Sequence, residues 1–393
     1  MTDLHPIAKL QATHSNMEVW FDSSPLVYED WVKSTTPALR ARELFEMKPA
    51  PDGTFCFASD SLLRGATTNQ PLTLQVIERN PVYWTQWLKT SLGQASSVTA
   101  KEAMWRVFIE IAARGADMLH PIAEASNYRS GQICCQVDPR DLTSVGVMVD
   151  QARRIHVARP NIMVKMPGTK EGIEGVRILT AEGVPTNVTL GFTVPQLVAV
   201  GEAAQAGLEE ARRRGTDLRY WRSCAVMMLG RYEDHPLMQT QAHERGIHLT
   251  KADLRWAGIA IFRKAHKIFA DRGYPSKLMA ASMRLGPIVD GVTQVWHLEK
   301  LAGANAVLTV FPNIFEAFLA AYANLPIEPQ IDEPIPAQVL DRLLQIPYFA
   351  EAYDEHGIAP EGFVDHPALQ ATASSFADAM HKIERFATAS LAK

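Results

Sequence analysis

Residues 161–192 constrain the fold of this chain more than any other stretch of its sequence. The stretch begins with three apolar residues, 162–164, as a fully buried strand does. Pro167 and Gly168 then interrupt the chain, and apolar residues recur after them at near-helical spacing. A second apolar run at 184–190 completes a strand, a helix and a strand, which places the two strands parallel. The pattern predicts an α/β fold.

Three polar residues fall near the carboxyl ends of these two strands, where α/β barrels hold their sites. They are Lys165, Asn187 and Thr189. Lysine is rarely buried without a partner, and desolvation favours its neutral amine. The neutral amine is the form that attacks a carbonyl carbon to give a Schiff base. On spacing alone, a lysine that extends to water past a strand end is the simpler interpretation.

The residues of this segment, VKMPGTKEGIEGVRILTAEGVPTNVTLGF, resemble the Schiff-base lysine region of the transaldolase family. Identity and spacing agree across almost the whole segment, which makes the similarity far more specific than a short motif. The resemblance implies that Lys165 forms the Schiff base. It also implies that Thr189 acts beside it and that Asn187 binds substrate in the same pocket.

A second similarity lies nearer the start of the chain. Asp22 follows a predicted strand, and the later segment GATTNQP resembles a family segment that ends the second strand. The resemblance implies a catalytic role for Asp22 and substrate contacts for Thr67 and Asn69. Asp60 is a rival for the acidic role, but only nine residues separate it from Asn69, too few for a crossover helix. The long interval after Asp22 predicts an insertion near residues 34–60.

Two positions depart from the family pattern. Gln136 stands where transaldolases carry a glutamate that works through a water molecule, and the fructose-6-phosphate aldolase subgroup also has glutamine there. A neutral amide can hold water but cannot exchange a proton with it at pH 7. Residues 226–228 replace a Ser-Pro-Phe sequence, and Met228 stands where the aldolase subgroup tends to have tyrosine. The resemblance therefore leaves open whether the chain is a transaldolase or an aldolase.

Phosphate ligands are implied by two further similarities. Gly230-Arg231 matches the end of the family's sixth strand, and the segment MAASMR resembles its seventh. The resemblance implies that Arg231, Ser282 and Arg284 bind phosphate, and arginine donors suit the paired oxygens of that group. Taken alone, the Ser-x-Arg pattern is more typical of a solvated loop.

Eight predicted strands alternate with helices along the chain, ending with a strand at 306–310. The alternation predicts a (β/α)8 TIM barrel formed by a single domain over residues 1–393. Residues 325–335 are rich in proline and acid, and helical patterns follow them. We expect residues 325–393 to form a helical extension packed on the barrel, with one helix across its mouth.

Composition excludes several function classes. The net charge of −4 and the pI near 6.3 give no electrostatic basis for binding nucleic acid or an anionic membrane. The sequence has no apolar run of 18 residues and no signal-peptide pattern, so we expect a cytoplasmic protein without membrane spans. Its four cysteines and scattered histidines fit no metal site, and no nucleotide motif occurs, so we expect no cofactor. A homodimer is as compatible with the sequence as a monomer.

The resemblance favours a transaldolase-type transferase of carbohydrate metabolism, as in the pentose phosphate pathway. Such an enzyme moves a dihydroxyacetone unit between phosphorylated ketose and aldose substrates through a lysine Schiff base. A Schiff-base aldolase, or a specialised transferase acting on an unusual sugar, is the alternative. A non-catalytic sugar-phosphate-binding homologue is disfavoured, because Asp22, Asn69, Lys165 and Thr189 are all present.

Overall fold

Eight parallel strands form a closed barrel in a computed structural model that describes residues 4–50, 54–93 and 98–392. The strands are β1 Glu18–Phe21, β2 Gly65–Ala66, β3 Gln132–Gln136, β4 Ile162–Pro167, β5 Thr186–Thr189, β6 Ser223–Met228, β7 Lys277–Ala281 and β8 Ala306–Val310. Each strand pairs with the next along the chain, and β8 pairs with β1 to close the ring. The predicted (β/α)8 barrel is confirmed.

Helices surround the barrel and continue beyond its last strand. They are α1 Pro6–Gln11, α2 Tyr28–Ser34, α3 Gln70–Arg79, α4 Pro81–Leu92, α5 Ala100–Ala125, α6 Val145–His156, α7 Lys170–Ala181, α8 Val194–Arg214, α9 Leu229–Glu233, α10 Pro236–Glu244, α11 Lys251–Arg272, α12 Trp296–Glu299, α13 Pro312–Ala321, α14 Ala337–Leu344, α15 Pro347–Tyr353 and α16 Pro367–Leu391. Short 3₁₀ turns lie at Pro25–Val27, Pro37–Leu39, Ala41–Glu43 and Pro360–Asp365.

Apolar residues at 74, 76, 77 and 84 continue one amphipathic pattern that predicts a single long helix after Asn69, but the structure has two helices there, so that prediction is wrong. Asn80 ends α3, and its side chain then accepts a hydrogen bond from the Tyr83 amide (3.1 Å) as the N-cap of α4. Pro81 follows at the first position of α4. Proline has no N–H to continue the preceding helix but suits the first turn of a new one.

The register of β3, β4 and β5 brings three of the predicted site residues to one level of the barrel. Lys165 on β4 is paired with Gln136 on β3 and with Asn187 on β5. Side chains alternate between the two faces of a strand, so residues at the same register on parallel neighbours face the same way. The central part of the barrel therefore carries these three polar side chains side by side.

A two-stranded antiparallel hairpin lies between β1 and β2, within the predicted insertion. It pairs Met47–Pro49 with Phe55–Phe57, while residues 51–53 of the insertion lie outside the described residues. Phe57 stacks on Phe45 with ring centroids 4.0 Å apart, and both rings are fully buried. Burial of these aromatic faces fixes the insertion against the outside of the barrel.

The last helix of the C-terminal extension, α16, packs over the mouth of the barrel and lies against α3, α4 and α5, whereas α14 and α15 pack on α11. Glu384 on α16 forms an ion pair with Arg140, which follows β3 (2.6 Å). His366, just before α16, stacks on Phe192 in the loop after β5, with centroids 5.6 Å apart. That residues 1–393 form one domain stays a prediction from the sequence.

No helix in the described part of the chain is both long enough and apolar enough to cross a lipid bilayer.

Candidate active site

A cavity opens at the carboxyl ends of the barrel strands and leaves about 40 Å³ of free space for the centres of water-sized molecules. The walls combine polar side chains with apolar ones from seven of the eight strands or the loops that follow them. The lining residues are Asp22, Thr67, Asn69, Lys165, Thr189, Val226, Met228, Arg231, Met279, Ala281, Ser282, Thr309 and Phe311. Eight of the eleven predicted site residues are thus brought together in one cavity.

Lys165 points into this cavity from β4. Only 7% of its surface is exposed, and its Nζ donates a hydrogen bond to the carbonyl oxygen of Thr68 at 3.0 Å. No carboxylate among the described residues forms a salt bridge with it. A lysine that is buried, hydrogen-bonded to a single neutral acceptor and directed into a cavity can attack the carbonyl carbon of a small bound molecule.

Asp22 lies on another wall of the cavity, directly after β1. Its Oδ1 accepts a hydrogen bond from the Thr67 hydroxyl at 2.6 Å, and that hydroxyl lies 2.7 Å from the hydroxyl of Thr309. Burial raises the pKa of the Asp22 carboxyl, and the nearby charges of Lys165 and Arg231 oppose that rise without cancelling it. A carboxylate whose pKa is raised towards neutrality is suited to take up and release a proton.

Asn69 and Thr189 complete the polar wall. The Oδ1 atom of Asn69 caps α3 by accepting from the amide of Leu72 (3.0 Å), which leaves its Nδ2 without a partner among the described residues. The Thr189 hydroxyl contacts the sulfur of Met228 at 3.8 Å. A free amide donor and a hydroxyl beside an apolar sulfur can both bind sugar hydroxyls or water.

Gln136 and Asn187 do not line the cavity, although they share the level of Lys165 on the neighbouring strands. Both are buried, and neither the Oε1 of Gln136 nor the Oδ1 of Asn187 has a hydrogen-bond partner among the described residues. The Nδ2 of Asn187 contacts the sulfur of Met279 at 3.4 Å. Buried amide oxygens are normally satisfied, so these two acceptors remain available to a water or substrate hydroxyl beside Lys165.

Arg231 carries an unpaired charge at the edge of the cavity. Its guanidinium forms no salt bridge within the described residues and lies over the ring of Phe376 on α16, 5.2 Å from the centroid. Burial lowers the pKa of Arg231, and the like charge of Arg284 lowers it further. A partly buried arginine without a carboxylate partner is typical of a site that binds an anion.

Ser282 and Arg284 lie beside Arg231, in the loop after β7. Ser282 lines the cavity, whereas Arg284 lines the adjoining pocket and forms an ion pair with Asp234 at 2.6 Å. The Ser282 carbonyl oxygen accepts from the Gly230 amide at 3.0 Å. A Cβ at Gly230 would lie 2.3 Å from that same oxygen, so only glycine allows the two loops to approach this closely.

Several residues of the cavity were missed by the sequence reasoning. Thr309 is the one polar residue in the apolar strand Ala306–Val310, and this contrast is a sequence signal from which it could have been predicted. Phe311, Met279 and Ala281 carry no such signal, because apolar residues at strand ends are common. Phe376 comes from a helix far along the chain, and only the fold places it over an arginine.

Among residues 4–50, 54–93 and 98–392, no group of three or more histidine, cysteine or acidic side chains is arranged to hold a metal ion.

Comparison with known proteins bears on the whole chain. The family model for transaldolase/fructose-6-phosphate aldolase matches residues 53–386. Transaldolase 2 of Streptomyces avermitilis is 30% identical over 266 residues, which are 64% of this chain and 70% of the relative. The transaldolase of Arthrobacter sp. (strain FB24) is 29% identical over 179 residues, which cover 45% of this chain and 48% of the relative.

The transaldolase of Thermobifida fusca is 36% identical over 138 residues, 35% of each chain. This match and the Arthrobacter one span half of the relative's length or less. The family match covers most of the chain, and it includes Lys165 and every residue of the cavity except Asp22. The chain therefore belongs to the transaldolase/fructose-6-phosphate aldolase family of enzymes.

Proposed function

We propose that this protein is a transferase that moves a dihydroxyacetone unit between phosphorylated sugars through a Schiff base on Lys165. The single observation that carries the proposal is the cavity that holds together a buried lysine, an aspartate and an arginine that forms no salt bridge with any described residue. A carbonyl carbon that reaches Lys165 lies within the same small space as the Asp22 carboxyl. Arg231 supplies positive charge for a phosphate at the far end of the substrate.

The reaction begins when the neutral amine of Lys165 attacks the ketone carbon of the donor sugar. Loss of water from the resulting carbinolamine gives an iminium ion. Asp22 then takes the proton of the C4 hydroxyl, the C3–C4 bond breaks, and its electron pair moves into the iminium to form an enamine. The aldehyde fragment leaves, and a three-carbon unit remains bound to Lys165.

Transfer reverses these steps on an acceptor. The enamine carbon attacks the aldehyde of an aldose phosphate, a new C–C bond forms, and Asp22 returns its proton to the new hydroxyl. Water then hydrolyses the iminium and releases a new ketose phosphate. We assign Asn69 and Asn187 to the hydroxyls of the bound unit, and Thr67 holds Asp22 through its hydroxyl.

The phosphate group contributes alignment. Arg231, Ser282 and Arg284 bind it at the edge of the cavity, and binding energy gained there holds the scissile bond between Lys165 and Asp22. The absence of any salt bridge to Arg231 within the described chain supports this assignment, since a phosphate would supply the missing counter-charge.

Aldolase activity is the second candidate, favoured by Gln136. Its unpartnered Oε1 beside Lys165 can accept a hydrogen bond from water but cannot remove the proton. Thr189 and Met228 lie on the other side of the lysine from Gln136. Gln136 and Met228 therefore both affect how water reaches the intermediates. If the enamine is protonated and hydrolysed in place, the product is free dihydroxyacetone.

Product analysis separates these functions. The protein is incubated with fructose 6-phosphate, with and without an aldose phosphate acceptor, and Lys165→Ala serves as the control. The proposal predicts a new ketose phosphate that forms only with the acceptor and only with Lys165 present. Free dihydroxyacetone formed without an acceptor would establish an aldolase instead. Neither product, together with a raised melting temperature in the presence of sugar phosphates, would leave a binding protein.

A further inference from the structure

Three buried polar side chains lie directly behind the proposed phosphate site and have no part in the mechanism above. They are Glu233, Arg255 and His297, whose exposed fractions are 1%, 5% and 0%. Glu233 ends the short helix α9, Arg255 lies on α11, and His297 lies on α12 in the long connection after β7. Burying such groups is costly unless each makes specific hydrogen bonds.

His297 makes two hydrogen bonds with opposite roles. Its Nδ1 accepts from the backbone amide of Arg284 at 3.0 Å, and its Nε2 lies 2.8 Å from Oε1 of Glu233. Because the Arg284 amide can only donate, Nδ1 carries no proton, and the proton on Nε2 is donated to the carboxylate. The imidazole is therefore neutral and fixed in one tautomer between Glu233 and the chain at Arg284.

Glu233 connects this histidine to the other arginine segment. It lies two residues after Arg231 on the same five-residue helix, and its Oε2 contacts Nη1 of Arg255. Arg255 also donates from Nε to the carbonyl oxygen of Leu285 at 3.2 Å. A Cβ at Gly258 would lie 2.2 Å from Oε1 of Glu233, so a glycine is needed for the carboxylate to sit there.

The cluster thus joins the two segments that carry the phosphate arginines. The charge of Arg284 lies close enough to disfavour the protonated form of Arg231, and a helix of five residues has little stability of its own. Without the cluster, the hydrogen bond from the Gly230 amide to the Ser282 carbonyl oxygen would be left to oppose the repulsion that widens the gap between the guanidinium groups. A phosphate needs both of them within hydrogen-bonding distance of its oxygens.

We propose that Glu233 and His297 are positioning residues that hold the segments of Arg231 and Arg284 at the spacing that one phosphate group requires. The inference rests on the proposed function only for the identity of the anion, a sugar phosphate. It adds two residues outside the cavity to those that determine selectivity for phosphorylated over unphosphorylated substrates.

Two substitutions of His297 each remove one of its two hydrogen bonds. In His297→Asn, the amide oxygen can still accept from the Arg284 amide, but the side chain no longer reaches Glu233. In His297→Gln, the amide nitrogen can still reach Glu233, but the acceptor at the Nδ1 position is lost. His266→Asn is the matched control, because His266 also accepts from a backbone amide, that of Asn305 (3.2 Å), away from the site.

The probes are inorganic phosphate, measured by titration calorimetry, and dihydroxyacetone, trapped on the protein with borohydride. Dihydroxyacetone has no phosphate, so its adduct reports on Lys165 alone. We expect both His297 variants to bind phosphate at least about tenfold more weakly than the unsubstituted protein. We expect their rates of dihydroxyacetone trapping, and phosphate binding by His266→Asn, to stay unchanged.

Two results would overturn the positioning role: folded variants that bind phosphate as before, or variants that lose phosphate binding and trapping in equal measure. Glu233→Gln provides the same test if a His297 variant does not fold. Failure of the unsubstituted protein to trap dihydroxyacetone would count against the Schiff base alone, because the phosphate titration does not depend on it.

Discussion

Each end of the barrel carries a carboxylate, a lysine and an arginine, but the three groups are arranged differently. At the amino end, Glu18 meets Arg222 and Lys277; at the carboxyl end, Asp22 faces a lysine and an arginine across the cavity. Glu18 is paired directly with Arg222 at 2.5 Å and with Lys277 at 2.7 Å. Asp22 forms no salt bridge with any cation in the described residues, although charges lie nearby.

The pKa values of the two carboxyl groups move in opposite directions. Burial alone would raise the pKa of Glu18, but the direct contacts with Arg222 and Lys277 outweigh burial and lower it to about 2. Burial outweighs the more distant cations at Asp22 and raises the pKa of that carboxyl. Contact, rather than composition, therefore decides whether a buried charge stabilises the fold or stays available for chemistry.

Exchanging the two lysines for methionine gives the largest expected contrast. Lys165→Met removes the proposed nucleophile, so we expect turnover to fall by more than about 10⁴-fold with little change in melting temperature. Lys277→Met removes a salt bridge far from the cavity, so the melting temperature falls and turnover of the folded protein is kept. Steady-state kinetics and thermal unfolding of the same preparations measure both effects. Equal loss of turnover in both variants would contradict the assignment.

The acid at the carboxyl end is expected to control the pH dependence of the reaction. Asp22 must be ionised to accept a proton, and its raised pKa means that activity is lost as pH falls through a value above the ordinary 3.8. Asp22→Asn should lower turnover by about 10²- to 10⁴-fold and abolish that acidic limb. A pH–rate profile from pH 4 to 8 tests this. An unchanged limb in the variant would place the titrating group elsewhere.

The acid at the amino end is expected to control stability instead. Glu18→Gln leaves Arg222 and Lys277 buried without their carboxylate, which we expect to lower the free energy of unfolding by about 3–5 kcal/mol. Because the pKa of Glu18 is depressed to about 2, its contribution is present above its ordinary value of 4.5 and is lost as pH falls towards 2. Urea unfolding at several pH values measures it, and a variant as stable as the original protein at pH 7 would disprove it.

The two arginines give the smallest contrast. Arg231 forms no ion pair in the described residues, so Arg231→Gln should change stability by less than about 0.5 kcal/mol. The same change should raise KM for a phosphorylated donor by about 10- to 100-fold, the worth of hydrogen bonds to a charged group. Arg222→Gln should instead lower stability and leave KM for the phosphorylated donor unchanged. Kinetics with phosphorylated and unphosphorylated donors, beside thermal unfolding, tests the pair.

Much of the barrel could be predicted from local patterns. The bounds of β8 agree with the sequence prediction, because an apolar run is a local signal. The break between α3 and α4 was missed, since the amphipathic pattern continues across Asn80 and Pro81. The periodicity of apolar residues does not distinguish a proline in the first turn of a new helix from a proline that kinks a longer helix.

The site was predicted through short motifs, and the structure brings most of those residues into one cavity. Their roles stay predictions. Three features could not be predicted from the sequence: the contact of Phe376 with Arg231, the lack of an ion pair to Arg231 within the described residues, and the position of Gln136 and Asn187 beside the cavity rather than on its wall. Such contacts depend on how the whole chain packs, which no local pattern encodes.

We propose that Lys165 forms a covalent bond with a ketose, and borohydride trapping tests this proposal most directly. The protein is incubated with fructose 6-phosphate and borohydride, and the adduct is located by intact mass and peptide mapping. We expect a stable adduct of dihydroxyacetone size on Lys165, absent from Lys165→Met and retained in Lys277→Met. No adduct with any of several ketose phosphates, or an adduct on another lysine, would contradict it.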